Sequence, residues 1–196
     1  MKDRYRSFAE LETREPEGRS WTREYRFRNS RLLVMAPHGG WIEPYTSELA
    51  RDIAGEELSF YTFRGVRDGA SHTLHLTSHR FDEPLALEAV SRAEVVVAIH
   101  GERSRKDPFV MVGGCHEWLK RSLKEALVGE GFVVKQPRIG LSGENPRNIC
   151  NRGTSGAGVQ LEISEGLRSR LFREPGLRKR FVGAVREVLL PAESRK

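Results

Sequence analysis

Apolar and polar positions fall into short blocks whose spacing predicts alternating strands and helices. Residues 31–37 (RLLVMAP) and 94–99 (EVVVAI) are nearly unbroken apolar runs, the pattern of strands covered on both faces. Residues 58–63 (LSFYTF), 131–135 (GFVVK) and 157–163 (AGVQLEI) predict further short strands, and 72–77 (HTLHLT) alternates as a strand with one wet face. Helical spacing covers residues 44–54, with Pro44 at the first helical position, Glu43 at the N-cap and Gly55 at the stop. Helices are also predicted over 83–93, over 116–128 (closed by Gly129), and near 165–172 and 177–190. Residues 1–19 read as a polar arm, and residues 136–156 as a long Gly-, Pro-, Asn- and Ser-rich connection of the kind that often carries function. Alternating strands and helices predict one α/β layered domain over residues 1–196 with a largely parallel sheet. In such sheets ligands gather beyond the carboxyl ends of the strands.

Composition narrows the class. A chain of 196 residues with 38% apolar and 31% charged side chains reads as a soluble globular protein. No run approaches the ~18 apolar residues of a membrane span. The N-terminal stretch lacks the apolar core of an export signal, so a cytoplasmic location is expected. Cys115 and Cys150 are too few for a disulfide framework and fit no zinc-knuckle spacing, which favours two reduced thiols. The net charge of +6 suits an anionic partner or a plain basic surface. Its basic residues are spread out with no aromatic-rich stripe, so nucleic-acid binding draws little support.

The candidate chemistry sits at the strand ends. The first apolar run leads into His38 and then Glu43, the EVVVAI run leads into His100, and the last strand carries Glu162 between Leu161 and Ile163. Two imidazoles and a carboxylate form a familiar ligand set for catalytic zinc, with a water in the fourth position. The competing readings are a helix cap for Glu43 and polar strand ends for the histidines. Glu162 interrupts an apolar strand, so it is either an exposed edge residue or a carboxylate facing a site, where it suits general-base work. In NICNRG, Asn151 and Arg152 could grip a carboxylate or form a solvated turn. His79 and Arg80, in TSHRFDEP, are secondary candidates for lining the site. His72 and His75 fall on the half-wet strand. HEWLK at residues 116–120 lacks the second histidine of a zinc helix, and Gly113-Gly114 lacks a phosphate-loop pattern.

Taken together, the stretch from RSFAELE to HGGWIEP, then TSHRFDEP, VVAIHG and NICNRG with AGVQLEIS, resembles the poly-γ-glutamate hydrolase family, also labelled phage-related replication proteins. The resemblance covers nearly the whole chain. It implies a three-layer α/β/α fold with a mixed sheet, similar to zinc carboxypeptidases. It further implies His38, Glu43 and His100 as zinc ligands, Glu162 as the base, and Asn151-Arg152 as the grip on a substrate carboxylate. The chain departs from zinc carboxypeptidases in placing four residues between His38 and Glu43, where they have two, and in carrying Trp41 in that interval.

The expected function is a Zn2+-dependent amidohydrolase acting on γ-glutamyl bonds of an anionic polymer or peptide. Trp41 favours an alternative, a zinc hydrolase of small N-acyl amino acids or peptides. A third reading, a nucleic-acid-binding phage accessory protein, leaves the strand-end histidines and carboxylates unexplained.

Overall fold

The computed structural model describes residues 3–194. Its strands are β1 (Trp21–Arg26), β2 (Leu32–Gly40), β3 (Ser59–Gly65), β4 (Val95–Glu102), β5 (Val110–Gly114), β6 (Val134–Lys135) and β7 (Val159–Ser164). They form one sheet in the order β1-β3-β2-β4-β7-β5-β6. The middle run β3-β2-β4-β7 is parallel, while β1 joins β3 and β5 joins β7 antiparallel. The sheet is therefore mixed and largely parallel, as expected.

Its helices are α1 (Phe8–Glu12), α2 (Thr46–Ala54), α3 (Pro84–Arg92), α4 (Glu117–Gly129), α5 (Glu165–Arg173) and α6 (Pro175–Glu193). Apolar residues of α2, α4, α5 and α6 pack on Leu32, Val34, Val97, Leu161 and Ile163 on one face. On the other face, α1 and α3 cover Leu33, Met35, Val96 and Ala98. Period-2 alternation along each strand separates the two cores, and the result is the three-layer α/β/α arrangement. Among the described residues, no helix is long and apolar enough to cross a membrane. Both cysteines are free thiols.

Several elements differ from the sequence reading. Residues 72–77 are not a strand: Ser71–Leu74 form a 3-10 turn, and Leu74 and Leu76 are buried against the α1/α3 face. Their alternation reflects packing beneath a loop rather than pairing in the sheet. Two strands escaped prediction. β1 is an edge strand with mostly half-exposed polar residues, and β5 has only five residues. The polar arm is anchored, because Tyr5, Phe8 and Leu11 are buried beside Trp21 and Phe63. Tyr5 Oη donates to Glu15 Oε1 at 2.7 Å, and Ser20 and Arg67 satisfy the other carboxylate oxygen.

One irregularity positions the site. Ala36 pairs with Thr62 and Gly39 with Arg64, so β2 carries one residue more than β3 across that interval. Such a bulge reverses the alternation of side chains downstream. Pro37 falls inside it and has no N–H to leave unpaired. Leu32, Val34 and Ala36 face α2 and α6. Beyond the bulge Gly39 takes that side and His38 turns to the opposite face. Gly39 must lack a side chain, since a Cβ would collide with Ser47 Oγ and come within 2.5 Å of Thr62 Oγ1. Gly40 turns with φ +61, a conformation suited to glycine.

Gly39→Ala is expected to lose about 1–3 kcal/mol of stability through overpacking. Gly183→Ala, in exposed helix with open space at the Cβ, is expected to gain about 0.5–1 kcal/mol. Urea unfolding of both variants checks the pair; equal effects would remove the packing argument for Gly39.

Candidate metal centre

The carboxyl ends of β2, β4 and β7 open onto a cavity of about 1010 Å³. Five of the six histidines line it: His38, His72, His75, His79 and His100. Because β4 alternates, His100 shares the face of Val96 and Ala98, the face to which the bulge turns His38. The two rings meet with Nδ1 atoms 3.2 Å apart. His38 Nε2 lies 2.8 Å from the Leu76 carbonyl, which can only accept, so Nε2 carries a proton and Nδ1 is the nitrogen turned towards His100 and Glu43. Glu43 Oε1 is 3.4 Å from His38 Nδ1, and its Oε2 is 3.7 Å from His100 Nδ1.

Glu43 is not the helix cap that the sequence suggested. Helix α2 starts at Thr46, with Tyr45 before it in a left-handed conformation (φ 73). The turn aims the Glu43 side chain back to the sheet, where Oε2 accepts from Gly101 N at 2.7 Å. Burial alone would raise its pKa, but His38 and His100 outweigh that and hold it well below the usual carboxylate range. A carboxylate beside two imidazole nitrogens, with the outer nitrogen of His38 already bonded, is a donor set suited to a cation.

Glu162 pairs directly with His100 in the β4–β7 register. Leu161 and Ile163 join the core on the α5 side, leaving Glu162 on the cavity side and only 6% exposed. Burial pushes its carboxyl up to about 7; His100 opposes this, and Glu43 and Glu102 add to it. Gln160 Nε2 donates to Glu162 Oε1 at 3.1 Å, and Asn148 Nδ2 donates to Gln160 Oε1 at 2.9 Å. These two amides hold one oxygen of the carboxylate in place.

The sequence reading missed His75. Its ring packs 4.2 Å from that of His38, and ligand atoms of His38, Glu43 and His75 all lie within 4.8 Å of one another. Burial and the neighbouring His38 lower its pKa to about 4, against Glu43 and Asp3. His75 Nδ1 bonds Asp3 Oδ1 at 2.9 Å, which leaves its other nitrogen as the one free to face the cavity. Asp3 also accepts from Thr77 N, Thr77 Oγ1 and Arg80 Nη2.

This changes the reading of TSHRFDEP. His79 lines the cavity, but Arg80 does not; its guanidinium holds Asp3 at 2.7 Å. Asp82 accepts from Phe8 N, and Glu83 caps α3. The motif is chiefly the seat of the N-terminal segment.

Asn151 and Arg152 are not brought to the cavity either. Asn151 is buried and fully engaged in holding loops together. Its Nδ2 donates to Gly143 O and Asn145 O, and its Oδ1 accepts from Cys115 N and Gly158 N. Arg152 Nη1 reaches the Phe81 carbonyl at 3.3 Å. The arginines that line the cavity are Arg103, Arg105 and Arg168. Trp41 is half exposed and does not line it, so the ring does not narrow the cleft.

Fold and site define an α/β/α protein with a candidate metal centre at the carboxyl edge of its sheet. The sequence matches the poly-gamma-glutamate hydrolase family model over residues 5–186, and the chain belongs to that family. It is 37% identical over 172 residues to the SPbeta prophage-derived UPF0714 protein YoqZ of Bacillus subtilis (strain 168), an overlap of 87% of this chain and 62% of YoqZ. It is 36% identical over 185 residues to UPF0714 protein YndL of the same organism, an overlap of 92% and 71%. The chain thus spans less than two thirds of YoqZ. A zinc-free structure of YndL matches with a TM-score of 0.85 at 33% identity, covering 97% of this chain and 96% of that one. A structure of bacteriophage poly-gamma-glutamate hydrolase matches with a TM-score of 0.91 at 28% identity, covering 97% and 98%.

Burial alone would raise the Asp3 carboxyl, but hydrogen bonds from Thr77 and His75 outweigh it and hold it below its ordinary value. A depressed carboxylate stabilises the fold above the unfolded pKa of about 3.9 and loses that contribution as pH falls through the folded value. Asp3→Asn is therefore expected to cost about 1–3 kcal/mol at pH 7, with the gap closing as the solution is acidified below about pH 4. Unfolding free energies across that range check it; a gap that stays constant with pH would refute the linkage.

Proposed function

We propose that this chain is a zinc-dependent hydrolase of γ-glutamyl amide bonds, with poly-γ-glutamate as its substrate. The observation that carries the reading is the convergence of His38, Glu43 and His100 beside a buried carboxylate of raised pKa, Glu162. Ligands about 2.0–2.1 Å from a tetrahedral zinc lie about 3.3 Å from one another. The two Nδ1 atoms are 3.2 Å apart, His38 Nδ1 is 3.4 Å from Glu43 Oε1 and His100 Nδ1 is 3.7 Å from Glu43 Oε2, separations close to that spacing. The charge of the lining supports the same conclusion. Glu43, Glu102, Glu144, Glu162 and Glu165 outnumber Arg103, Arg105 and Arg168, a surplus of acidic side chains that favours a cation. Family membership and the zinc-free state named for the YndL structure add support for the substrate and the metal.

In this reading His38, Glu43 and His100 hold the ion. When bound, zinc supplies Lewis acidity to the scissile carbonyl and lowers the pKa of a water towards ~7. Glu162 would accept a proton from the attacking water and return it to the departing amine, so that one amide and one water become a carboxylic acid and an amine. Gln160 and Asn148 keep the carboxylate aimed during both transfers. Arg103 and Arg105, on the loop after β4, line the cavity, with Arg105 paired to Glu165 at 2.9 Å. The alternative of a small N-acyl amino acid substrate rested on Trp41, which does not line the cleft.

Purified protein is expected to contain stoichiometric zinc and to release glutamyl fragments from poly-γ-glutamate. Glu162→Gln should keep its zinc and lose activity by roughly 10²–10⁴-fold, whereas His38→Ala should lose the metal. Full activity in Glu162→Gln, or stoichiometric zinc in His38→Ala, overturns the assignment. A preference for short N-acyl glutamates over the polymer would replace the substrate.

A further inference from the structure

Arg168 is a buried guanidinium that the reaction above does not use. It sits in the first half of α5, lines the cavity and is 3% exposed. All three of its nitrogens bond main-chain carbonyls rather than carboxylates. Nε donates to Ile163 O at 3.0 Å, Nη1 to Pro44 O at 2.6 Å, and Nη2 to Glu102 O at 3.1 Å. Each acceptor belongs to a segment that carries one of the proposed functional residues. Ile163 follows Glu162, Pro44 follows Glu43, and Glu102 lies two residues beyond His100.

Two further contacts converge there. The guanidinium lies against Gly101, where a Cβ would stand 2.5 Å from Cζ, 2.6 Å from Nη1 and 2.8 Å from Nη2. The same Gly101 donates its N–H to Glu43 Oε2. One turn further along α5, Phe172 stacks on Tyr45 at 4.3 Å. Residues four apart share a helix face, so Arg168 and Phe172 together hold the Pro44–Tyr45 turn that aims Glu43.

We infer that Arg168 is the positioning residue of the metal centre: its fork fixes the Glu43 turn against the strand ends that carry His100 and Glu162, and Gly101 supplies its seat. The inference rests on the proposed metal site and adds to it a residue that touches neither metal nor substrate. A planar fork with fixed donor directions can bridge three carbonyls from three segments. The compact ammonium of a lysine does not reproduce that span.

The test uses the metal-binding protein with Arg168→Lys, Arg168→Ala and Gly101→Ala. Zinc affinity is read by chelator competition, the visible spectrum by cobalt substitution, and stability by thermal unfolding of the metal-free protein. Arg168→Lys is expected to weaken zinc binding roughly 10–100-fold, the range for residues that orient metal ligands, and to shift the cobalt spectrum. Gly101→Ala should do the same by displacing the guanidinium. Low millimolar guanidinium should restore part of the affinity of Arg168→Ala, a rescue that a purely structural loss would not show. If Arg168→Ala does not fold, the other two variants decide the matter. Wild-type affinity and an unshifted cobalt spectrum in folded Arg168→Lys and Gly101→Ala overturn the inference, even if their unfolding midpoints fall. A wild-type protein that binds no zinc overturns the functional reading instead, and this inference with it.

Discussion

The site depends on a single extra residue in β2. Strand alternation sends Leu32, Val34 and Ala36 to the α2 side, and a regular strand would send His38 after them into the apolar core. An imidazole there would be desolvated without a partner. The bulge between Ala36 and Gly39 turns it to the face that carries His100 and Glu162. Two residues make the bulge tolerable: Pro37, which has no ladder donor to lose, and Gly39, which lets α2 close against the strand. The apolar run, the proline, the histidine and the double glycine are therefore one device. Glu43 then returns to the sheet through a turn set by the left-handed Tyr45.

The electrostatics of the cluster follow from its packing. Burial alone would push every carboxylate in the cavity towards its neutral form. Glu43 escapes this because two imidazoles and the Gly101 N–H surround it, whereas Glu162 accepts from the Gln160 amide and has two neighbouring carboxylates, Glu43 and Glu102, that add to burial against His100 and Arg168. Two glutamates beside the same histidine, His100, thus hold opposite preferences, one held anionic and one with its carboxyl raised to about 7. Separated preferences of this kind let neighbouring carboxyl groups divide binding from proton transfer.

Much of this was legible in the sequence, and the failures have physical causes. His38, His100 and Glu162 were visible because each stood at or within a strongly apolar run, where a polar side chain needs a reason. Glu43 was expected at a helix cap and stands instead in the turn before the helix, aimed at the sheet. Asn151 and Arg152 were expected at the cavity and lie outside its lining, because an amide beside a guanidinium looks the same in sequence whether it faces a ligand or ties loops together. Nothing in residues 1–19 signals that Asp3 reaches His75, a contact that joins positions 72 residues apart. β1 and β5 were missed because an edge strand with polar residues and a five-residue strand give weak periodic signals. The signal for Arg168 was present and unused: it falls on the buried stripe of α5 with Leu167 and Leu171, where a solvated arginine has no place.

The N-terminal segment and helix α5 therefore converge on the same edge of the sheet, by different means. The N-terminal segment arrives through Asp3, held by Thr77 and Arg80 and itself holding His75 against His38. Helix α5 arrives through Arg168, which bridges three strand-end segments by their carbonyls. Neither residue belongs to the proposed ligand set: Arg168 holds segments that carry it, and Asp3 holds His75 beside His38. A parallel sheet aligns its strand ends but leaves the loops beyond them free to diverge. Here buried charges, each satisfied by several hydrogen bonds, supply the missing constraint, because a displaced loop would strand a desolvated donor or acceptor. The precision of the centre is thus set as much by these outer hydrogen bonds as by the imidazoles and carboxylates themselves.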